Sequence, residues 1–403
     1  MATYKNLIVS GESVACGAMA ADWMAQICSA QKWPMLILDF RAPEVPVMGV
    51  KRQVLEFLPY IKAAGYRNVT FPSVDHAYNP MFEADKKETV DRLALLLKER
   101  GQTEEAGLVR RDMKLLTNLD RLNRVYRPTE EERILYYAKP GAIYHAIQTA
   151  TYKQSLSDAE AEELRTWHSE CVQAGPALEN LLEEYRDTLD AYVNGHKQGG
   201  CMKDVRSLRN VNPDEAYCFE VLQNMKRETK ERLLRLIRLD LEYRCVEEEK
   251  PMGLMIVDDG SVSKRQVAAL AEALGGNGCF TYITRDVYSF SKNKEEEHGR
   301  ENLLALADEI WFSRHPRMES ARAVSESLGQ YWRLQKSTAV IRDRRFAQNR
   351  PLDRLFGTNR TDQQTSTPYL DFRHTKEEIS EMDDFLYIMK DPRRGHVEMK
   401  VVR

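Results

Sequence analysis

No stretch of this sequence stays apolar for the roughly 20 residues that a membrane-spanning helix requires, and the first ten residues carry neither a charged leader nor a cleavage site of the secretory kind. Cysteine is sparse: the seven residues are scattered and never fall as C-x-x-C, which argues against a zinc site or a disulfide framework and fits a reducing compartment. His76, His145, His196 and His315 share no metal-ligand spacing, so no metal centre is expected. Net charge is nearly absent as well. With 59 Lys+Arg against 62 Asp+Glu the formal balance is -3, which gives the whole chain no pull toward nucleic acid or membrane. There is no internal repeat and no low-complexity tract. The expectation from these absences is a cytoplasmic globular protein.

What is present is a change of rhythm, twice. Residues 1–84 alternate between short apolar runs and helical spacing. Leu7-Ile8-Val9 is followed by Gly11 and a helix carrying Met19, Ala20, Trp23, Met24 and Ile27. Met35-Leu36-Ile37-Leu38 then ends at Asp39, a helix spans about 54–64 before Gly65, and Val69-Thr70-Phe71 stops at Pro72. This β-α-β-α-β order predicts a mostly parallel sheet covered by helices.

From 85 to 246 the period is helical. Leu178, Leu181, Leu182, Tyr185, Leu189 and Tyr192 line one face, as do Leu222, Met225, Leu233, Leu236, Ile237 and Leu241, and also Val90, Leu93, Ala94 and Leu97. An all-α insert domain is expected there. Over 247–403 the α/β rhythm resumes with Leu254-Met255-Ile256-Val257, Phe280 to Thr284 and Ile310-Trp311-Phe312, then a helix to Gly329. A polar, basic loop is expected at 342–368, before two closing strands at 385–389 and 397–402.

Two segments stand where phosphate chemistry is usually built. Between the first strand and helix lies Gly11-Glu12-Ser13-Val14-Ala15-Cys16-Gly17-Ala18-Met19. A phosphate loop of the form G-x-x-x-x-G-K-[ST] cradles phosphates with backbone amides, a lysine and a magnesium-bound hydroxyl. Counting from Gly11 places Cys16, Gly17 and Ala18 at the last three positions; anchoring on Gly17 places Ala18 and Met19 there instead. Neither register supplies the cation or the hydroxyl, and Glu12 adds negative charge. The second segment is the strand ending in Asp258-Asp259. It matches a magnesium-holding acid followed by a water-orienting one, although taken alone a strand closing in a polar Asp-Asp-Gly-Ser turn is the commoner meaning. A third set, Arg342, Arg344, Arg345, Arg350 and Arg354 with Phe346 and Phe356 between them, could grip a nucleic-acid backbone, although such a run is more often a solvated loop or subunit contact. Arg232, Arg235 and Arg238 have acids nearby and read as a solvated face.

Taken in order, these segments resemble the type IV coupling proteins, the ring-forming ATPases of bacterial conjugation and type IV secretion. Asp39-Phe40-Arg41-Ala42-Pro43-Glu44 is similar to their Asp-Pro-Lys-Gly-Glu-like segment, with one residue extra. Gly65 through Tyr78-Asn79-Pro80 resembles their glycine turn, strand and Asn-Pro, and an all-α insertion follows in both. The strand that in the family ends in a glutamine sensing the γ-phosphate here reads Phe280-Thr281-Tyr282-Ile283-Thr284-Arg285. The segment from Glu319 to Gly329 is similar to the family's next helix. His374-Thr375-Lys376-Glu377-Glu378-Ile379 and Asp384-Phe385-Leu386-Tyr387-Ile388 resemble its final helix and strands.

The resemblance implies a P-loop NTPase (RecA-like) α/β fold divided into 1–84, an insert 85–246 and 247–403. It also implies Gly11, Ser13, Cys16, Gly17, Ala18 and Met19 as a degenerate phosphate loop, and Asp258 and Asp259 as a degenerate magnesium site. Because lysine, hydroxyl, second acid and sensor glutamine are all replaced, the implied activity is that of a pseudo-ATPase. Such a subunit is structural or recruiting, with no cofactor or with ATP and Mg²⁺ held without hydrolysis. An active motor with an unconventional loop, and a nucleotide-sensing protein on the same fold, are the alternatives. Implied partners are a second copy, an active coupling-protein homologue, and secretion or conjugation components that would recruit the chain to the inner face of the membrane. Nucleic acid is a further partner through Arg342, Arg344, Arg345 and Arg350.

Overall fold

The computed structural model describes residues 6–41, 57–72, 77–78, 205–219, 226–289, 294–342 and 360–402, with a few isolated positions between 80 and 162; along 331–342 and 360–371 the backbone path alone is described. The chain opens with β1 (Leu7–Ser10), α1 (Val14–Ala30), β2 (Met35–Asp39), α2 (Leu58–Ala63), β3 (Asn68–Thr70) and β4 (Ala77–Tyr78). It continues with β5 (Val205–Arg206), β6 (Glu215–Phe219), α3 (Arg227–Glu242), β7 (Met252–Asp258), α4 (Lys264–Glu272), β8 (Gly278–Thr284) and α5 (Lys294–Leu306). The remaining elements are β9 (Glu309–Phe312), α6 (Met318–Leu328), β10 (Gln330–Arg342), β11 (Arg360–Phe372), α7 (Lys376–Ser380), β12 (Leu386–Asp391) and β13 (His396–Val401).

Nine strands form one sheet in the order β13-β12-β9-β1-β8-β7-β2-β6-β3. The seven from β9 to β3 are parallel, and β12 and β13 close one side antiparallel. The central strands are buried on both faces, which is why they read as unbroken apolar runs rather than alternating ones; all seven residues of β7 are buried. Alternate residues supply two cores. Met35, Ile37, Met255, Val257 and Cys279 face α1 and α2, meeting Met24, Ala25, Cys28 and Ile61. Leu36, Leu38, Leu254, Ile256, Phe280 and Phe312 face the other way, meeting Leu233 and Ile237 of α3, Val267 and Leu270 of α4, Leu303 of α5 and Val324 of α6. At Gly299 of α5 an added Cβ would lie 2.7 Å from the Arg265 backbone, so the missing side chain is what lets α4 and α5 cross so closely.

The α/β class and the mostly parallel sheet agree with the sequence reading. Three local expectations need correction. Residues 85–246 are not helical throughout: β6 lies inside the main sheet, paired parallel to both β2 and β3, and α3 covers that sheet instead of an insert core. The signal was a five-residue run headed by Glu215, whose buried carboxylate accepts from Asn212 N–H at 3.1 Å on Oε2 and from Thr70 Oγ1 at 2.5 Å and Arg206 Nη1 at 3.3 Å on Oε1. Strands β4 and β5 pair in parallel as a separate two-stranded sheet. The intervening segment begins after Tyr78 and ends before Val205; the expected helix at 178–192 lies outside the described residues.

The second correction concerns 342–368. Thirteen-residue strands β10 and β11 form an antiparallel ribbon from Gln330↔Phe372 to Arg342↔Arg360, so strand extends into both ends of the expected loop. Helix α5, third, had no counterpart in the sequence reading. Its first turn is Glu295, Glu296 and Glu297, acids that favour a helix N-terminus. Among the described residues, no helix is long and apolar enough to cross a membrane.

Candidate functional site

In open parallel sheets, ligands bind beyond the carboxyl ends of the strands, at the crevice where the chain leaves neighbouring strands in opposite directions. Here the crevice falls between β9 and β1. From β1 the chain passes through α1 toward β2 on one side, and from β9 it passes through α6 on the other.

The connection from β1 to α1 is only Gly11-Glu12-Ser13, and Val14 already belongs to the helix. Of the six residues expected to form a degenerate phosphate loop, Gly11 and Ser13 lie in this turn. Cys16, Gly17, Ala18 and Met19 lie within the first two turns of α1, with Cys16 and Gly17 buried. Ser13 is a strong N-cap residue and starts the helix early, its Oγ accepting from Cys16 N–H at 3.1 Å.

The amides of the turn point at the protein's own acceptors. Gly11 N–H donates to Thr284 O at 3.0 Å, and Glu12 N–H to Arg314 O at 2.9 Å. Ser13 N–H reaches Ser313 Oγ at 3.3 Å, and Ser13 Oγ donates to Asp384 O at 2.5 Å. Gly11 has φ +137°, and a Cβ there would sit 2.1 Å from Ser313 Oγ. The glycine is therefore required by the chain leaving β9. At Gly17 a Cβ would meet only Ile283 Cγ2 at 3.6 Å, an ordinary contact. Burial in the helix pushes the Cys16 thiol up to about 12.

Behind the turn, Ser10 and His315 close the crevice. His315 Nδ1 lies 2.8 Å from Ser313 O and so carries the proton, leaving Nε2 to accept from Ser10 Oγ at 3.0 Å. Ser10 Oγ in turn accepts from Val287 N–H at 3.0 Å. Both side chains are buried, and burial holds the imidazole below its ordinary pKa. The dyad is satisfied and internal. It joins β1, the β8–α5 connection and the β9–α6 connection.

Asp258 ends β7 as expected, and its carboxylate is fully engaged. Oδ1 accepts from Ser261 N–H at 2.9 Å, Ser261 Oγ at 3.3 Å and Val262 N–H at 3.2 Å. Oδ2 accepts from Tyr282 Oη at 2.9 Å and lies 3.5 Å from Lys264 Nζ. Lys264 donates to Tyr282 Oη at 2.7 Å, and both charged side chains are buried. Burial, followed by the nearby Asp258 charge, holds the Tyr282 phenol well above its ordinary range. The sequence reading named Asp258 but not Lys264 or Tyr282. The available signal was a lysine at the start of the following helix, six residues on.

Asp259 adjoins this cluster. Asp39, at the end of β2, is held by Arg41 through Nε to Oδ1 at 3.1 Å and Nη2 to Oδ2 at 2.8 Å. Arg342 is the last residue of β10, while Arg344, Arg345, Arg350 and Arg354 lie outside the described residues.

Neither a protein-family model nor a curated protein sequence matches the chain. Solved structures do. The unbound monoclinic form of the bacterial conjugative coupling protein TrwBdeltaN70 is similar over 99% of this chain and 84% of its own, at TM-score 0.52 and 12% identity. TrwB in complex with the non-hydrolysable ATP analogue ADPNP is similar over 99% and 85%, at TM-score 0.48 and 12% identity. VirB4 of Thermoanaerobacter pseudethanolicus is similar over 80% of each chain, at TM-score 0.40 and 13% identity. The first of these likenesses shows the fold: the described residues form a helix-covered, largely parallel α/β sheet like that of TrwBdeltaN70.

Proposed function

We propose that this chain is a coupling-protein-like subunit of a type IV secretion or conjugative transfer machine that does not hydrolyse nucleotide and acts by structure or recruitment. The observation that carries the reading is the closed three-residue turn between β1 and α1, whose amides and N-cap are spent on Thr284, Arg314, Ser313 and Asp384. A nucleotide–Mg²⁺ site needs an open cradle of amides, a lysine on the phosphates and a carboxylate with a free oxygen. The donor set present does not fit that group. Both oxygens of Asp258 are engaged, and the cation beside them is Lys264. Losing one preorganised charge-stabilising group typically removes about 3–4 kcal/mol of transition-state stabilisation.

The fold supports a place beside active coupling proteins, either by self-association or by docking onto a homologue. On this reading any position at the membrane comes from the partner, and the segment between β4 and β5 is an inserted module. The basic stretch Arg342, Arg344, Arg345 and Arg350 is the proposed contact for nucleic acid.

The test is steady-state phosphate release by the purified chain, with thermal melting in the presence and absence of ATP–Mg²⁺. The expected result is no release above background and no shift. Turnover above about 1 per minute, still far below the ~10 s⁻¹ typical of enzymes, that disappears in Asp258→Ala would overturn the proposal in favour of an active motor. A nucleotide-dependent shift without turnover would favour a sensing role.

A further inference from the structure

Strand β13 ends the nine-stranded sheet, and among the described residues nothing pairs with its outer side. An open edge presents unpaired N–H and C=O groups, and folded proteins normally blunt it with proline, bulges or isolated lysines. Here the strand is His396-Val397-Glu398-Met399-Lys400-Val401, six residues with no proline and its one lysine matched by a glutamate. Met399 and Val401 are exposed at 44% and 59%.

The direction of the free groups follows from the pairing with β12. Val402 N–H donates to Phe385 O at 2.7 Å, and in an antiparallel pair the bonded residues alternate. His396, Glu398 and Lys400 therefore turn their backbone groups toward β12, and Val397, Met399 and Val401 turn theirs outward. Side chains alternate with the same period, so the outward residues share a face: Val397, Met399 and Val401 lie opposite Lys390, Ile388 and Leu386 on the α6 face of the sheet, and Glu398 and Lys400 lie on the α1 face opposite Met389 and Tyr387.

We propose that β13 is the docking edge for a second copy of this chain, joined antiparallel about a two-fold axis at Met399. Only one register pairs all three outward residues. It sets Met399 against Met399 of the second copy, and Val397 against its Val401. That same register sets Glu398 directly opposite Lys400 of the second copy, and Lys400 opposite its Glu398. Within one chain these two already form an exposed pair at 3.6 Å; across the axis they become a four-charge ladder on one face, with a Val-Met-Val strip on the other. Hydrogen bonding, charge and apolar pairing thus select the same partner. This edge is separate from the carboxyl-edge site, and its failure would leave the proposed function standing.

Light scattering of the full chain across the micromolar range should show a dimer. Glu398→Lys or Lys400→Glu alone places like charges opposite each other twice and should raise the dissociation constant roughly tenfold or more. The double swap E398K/K400E restores complementarity and should restore dimerisation. Met399→Pro removes only an outward N–H, a position where an edge strand tolerates proline, and should yield a folded monomer by circular dichroism. Bonded residues across such an axis have Cα atoms about 5.5 Å apart, within disulfide reach. Met399→Cys should therefore cross-link on oxidation, and Glu398→Cys should not. A monomer at every concentration, an oligomer indifferent to both charge variants, or cross-linking through Cys at 398 rather than 399 would overturn the proposal.

Discussion

Lys264→Met tests the central electrostatic claim about the carboxyl edge. Wild-type Lys264 Nζ lies 3.5 Å from Asp258 Oδ2, with the lysine side chain 6% exposed and the aspartate fully covered. Removing one partner of a buried pair typically costs about 3–5 kcal/mol, because the other charge is left uncompensated. Asp258 keeps four neutral donors, from Ser261 N, Ser261 Oγ, Val262 N and Tyr282 Oη, so the expectation is the lower end, about 3 kcal/mol. Arg265, the next residue, provides a control. Its ion pair with Glu295 is shorter, 3.1 Å, but both side chains are about two-thirds exposed. Exposed pairs are worth about 0–1 kcal/mol, so Arg265→Met should change stability little despite the better distance. Urea unfolding followed by circular dichroism gives both values, and a cycle with Asp258→Asn gives the coupling, expected at about 1–3 kcal/mol. If Lys264→Met costs under about 1 kcal/mol and the cycle is additive, the ammonium is not the counter-charge of Asp258, and the argument against a magnesium-ready carboxylate fails.

The two glycines of the expected phosphate loop should behave oppositely. Gly17→Ala fits beside Ile283 and should stabilise the chain by up to about 1 kcal/mol through helix propensity; Gly11→Ala, at φ +137° against Ser313, should destabilise it by about 2 kcal/mol or more. Thermal melting decides, and the reverse order would mean that Gly11-Glu12-Ser13 is not a closed turn. A pH series tests His315. Its native pKa lies below the ordinary 6.5 because of burial, so the native state binds fewer protons than the unfolded chain once pH drops below that value. The contribution is therefore intact above about pH 6.5 and declines by up to about 1.4 kcal/mol per pH unit below it, until the native pKa is reached. His315→Asn should remove that part of the acid-side slope, and an unchanged slope would refute the assignment of a neutral buried imidazole.

The parts of this fold that the sequence exposed are those whose signal is local. Strand β7 is apolar along its length because both faces are covered. Helix α7 declares itself in Thr375 and Glu378, whose reciprocal capping bonds measure 3.2 and 3.1 Å. What stayed hidden depends on partners far along the chain. Strand β6 looks too short and too polar at Glu215 until Thr70 is brought to the carboxylate that Asn212 and Arg206 hold locally. Asp258 was visible as a strand-ending acid, but Tyr282, on the next strand, had to be in place before Lys264 could be seen as its counter-ion. The closure of the β1–α1 turn was the least legible feature, since Ser313, Arg314 and Asp384 stand some 300 or more residues from Gly11.

That closure also bears on the proposed loss of nucleotide chemistry. Buried backbone donors must be satisfied by something, and in a nucleotide-binding loop the phosphates take part of that role. Here the same edge of the sheet is satisfied by the chain itself, through Arg314 O for the Glu12 N–H and Ser313 Oγ for the Ser13 N–H, while the Ser13 hydroxyl donates to Asp384 O. Arg314 also pairs with Asp384 at 3.3 Å, so the two closing segments are tied to each other as well as to the turn. On the proposed function, the order of this sheet edge does not depend on nucleotide. A motor needs this edge to change with the state of its ligand, because a ligand shifts a conformational equilibrium only through differential contacts with the two states. An edge closed by internal bonds offers a fixed surface instead, which is the property a structural or recruiting subunit requires.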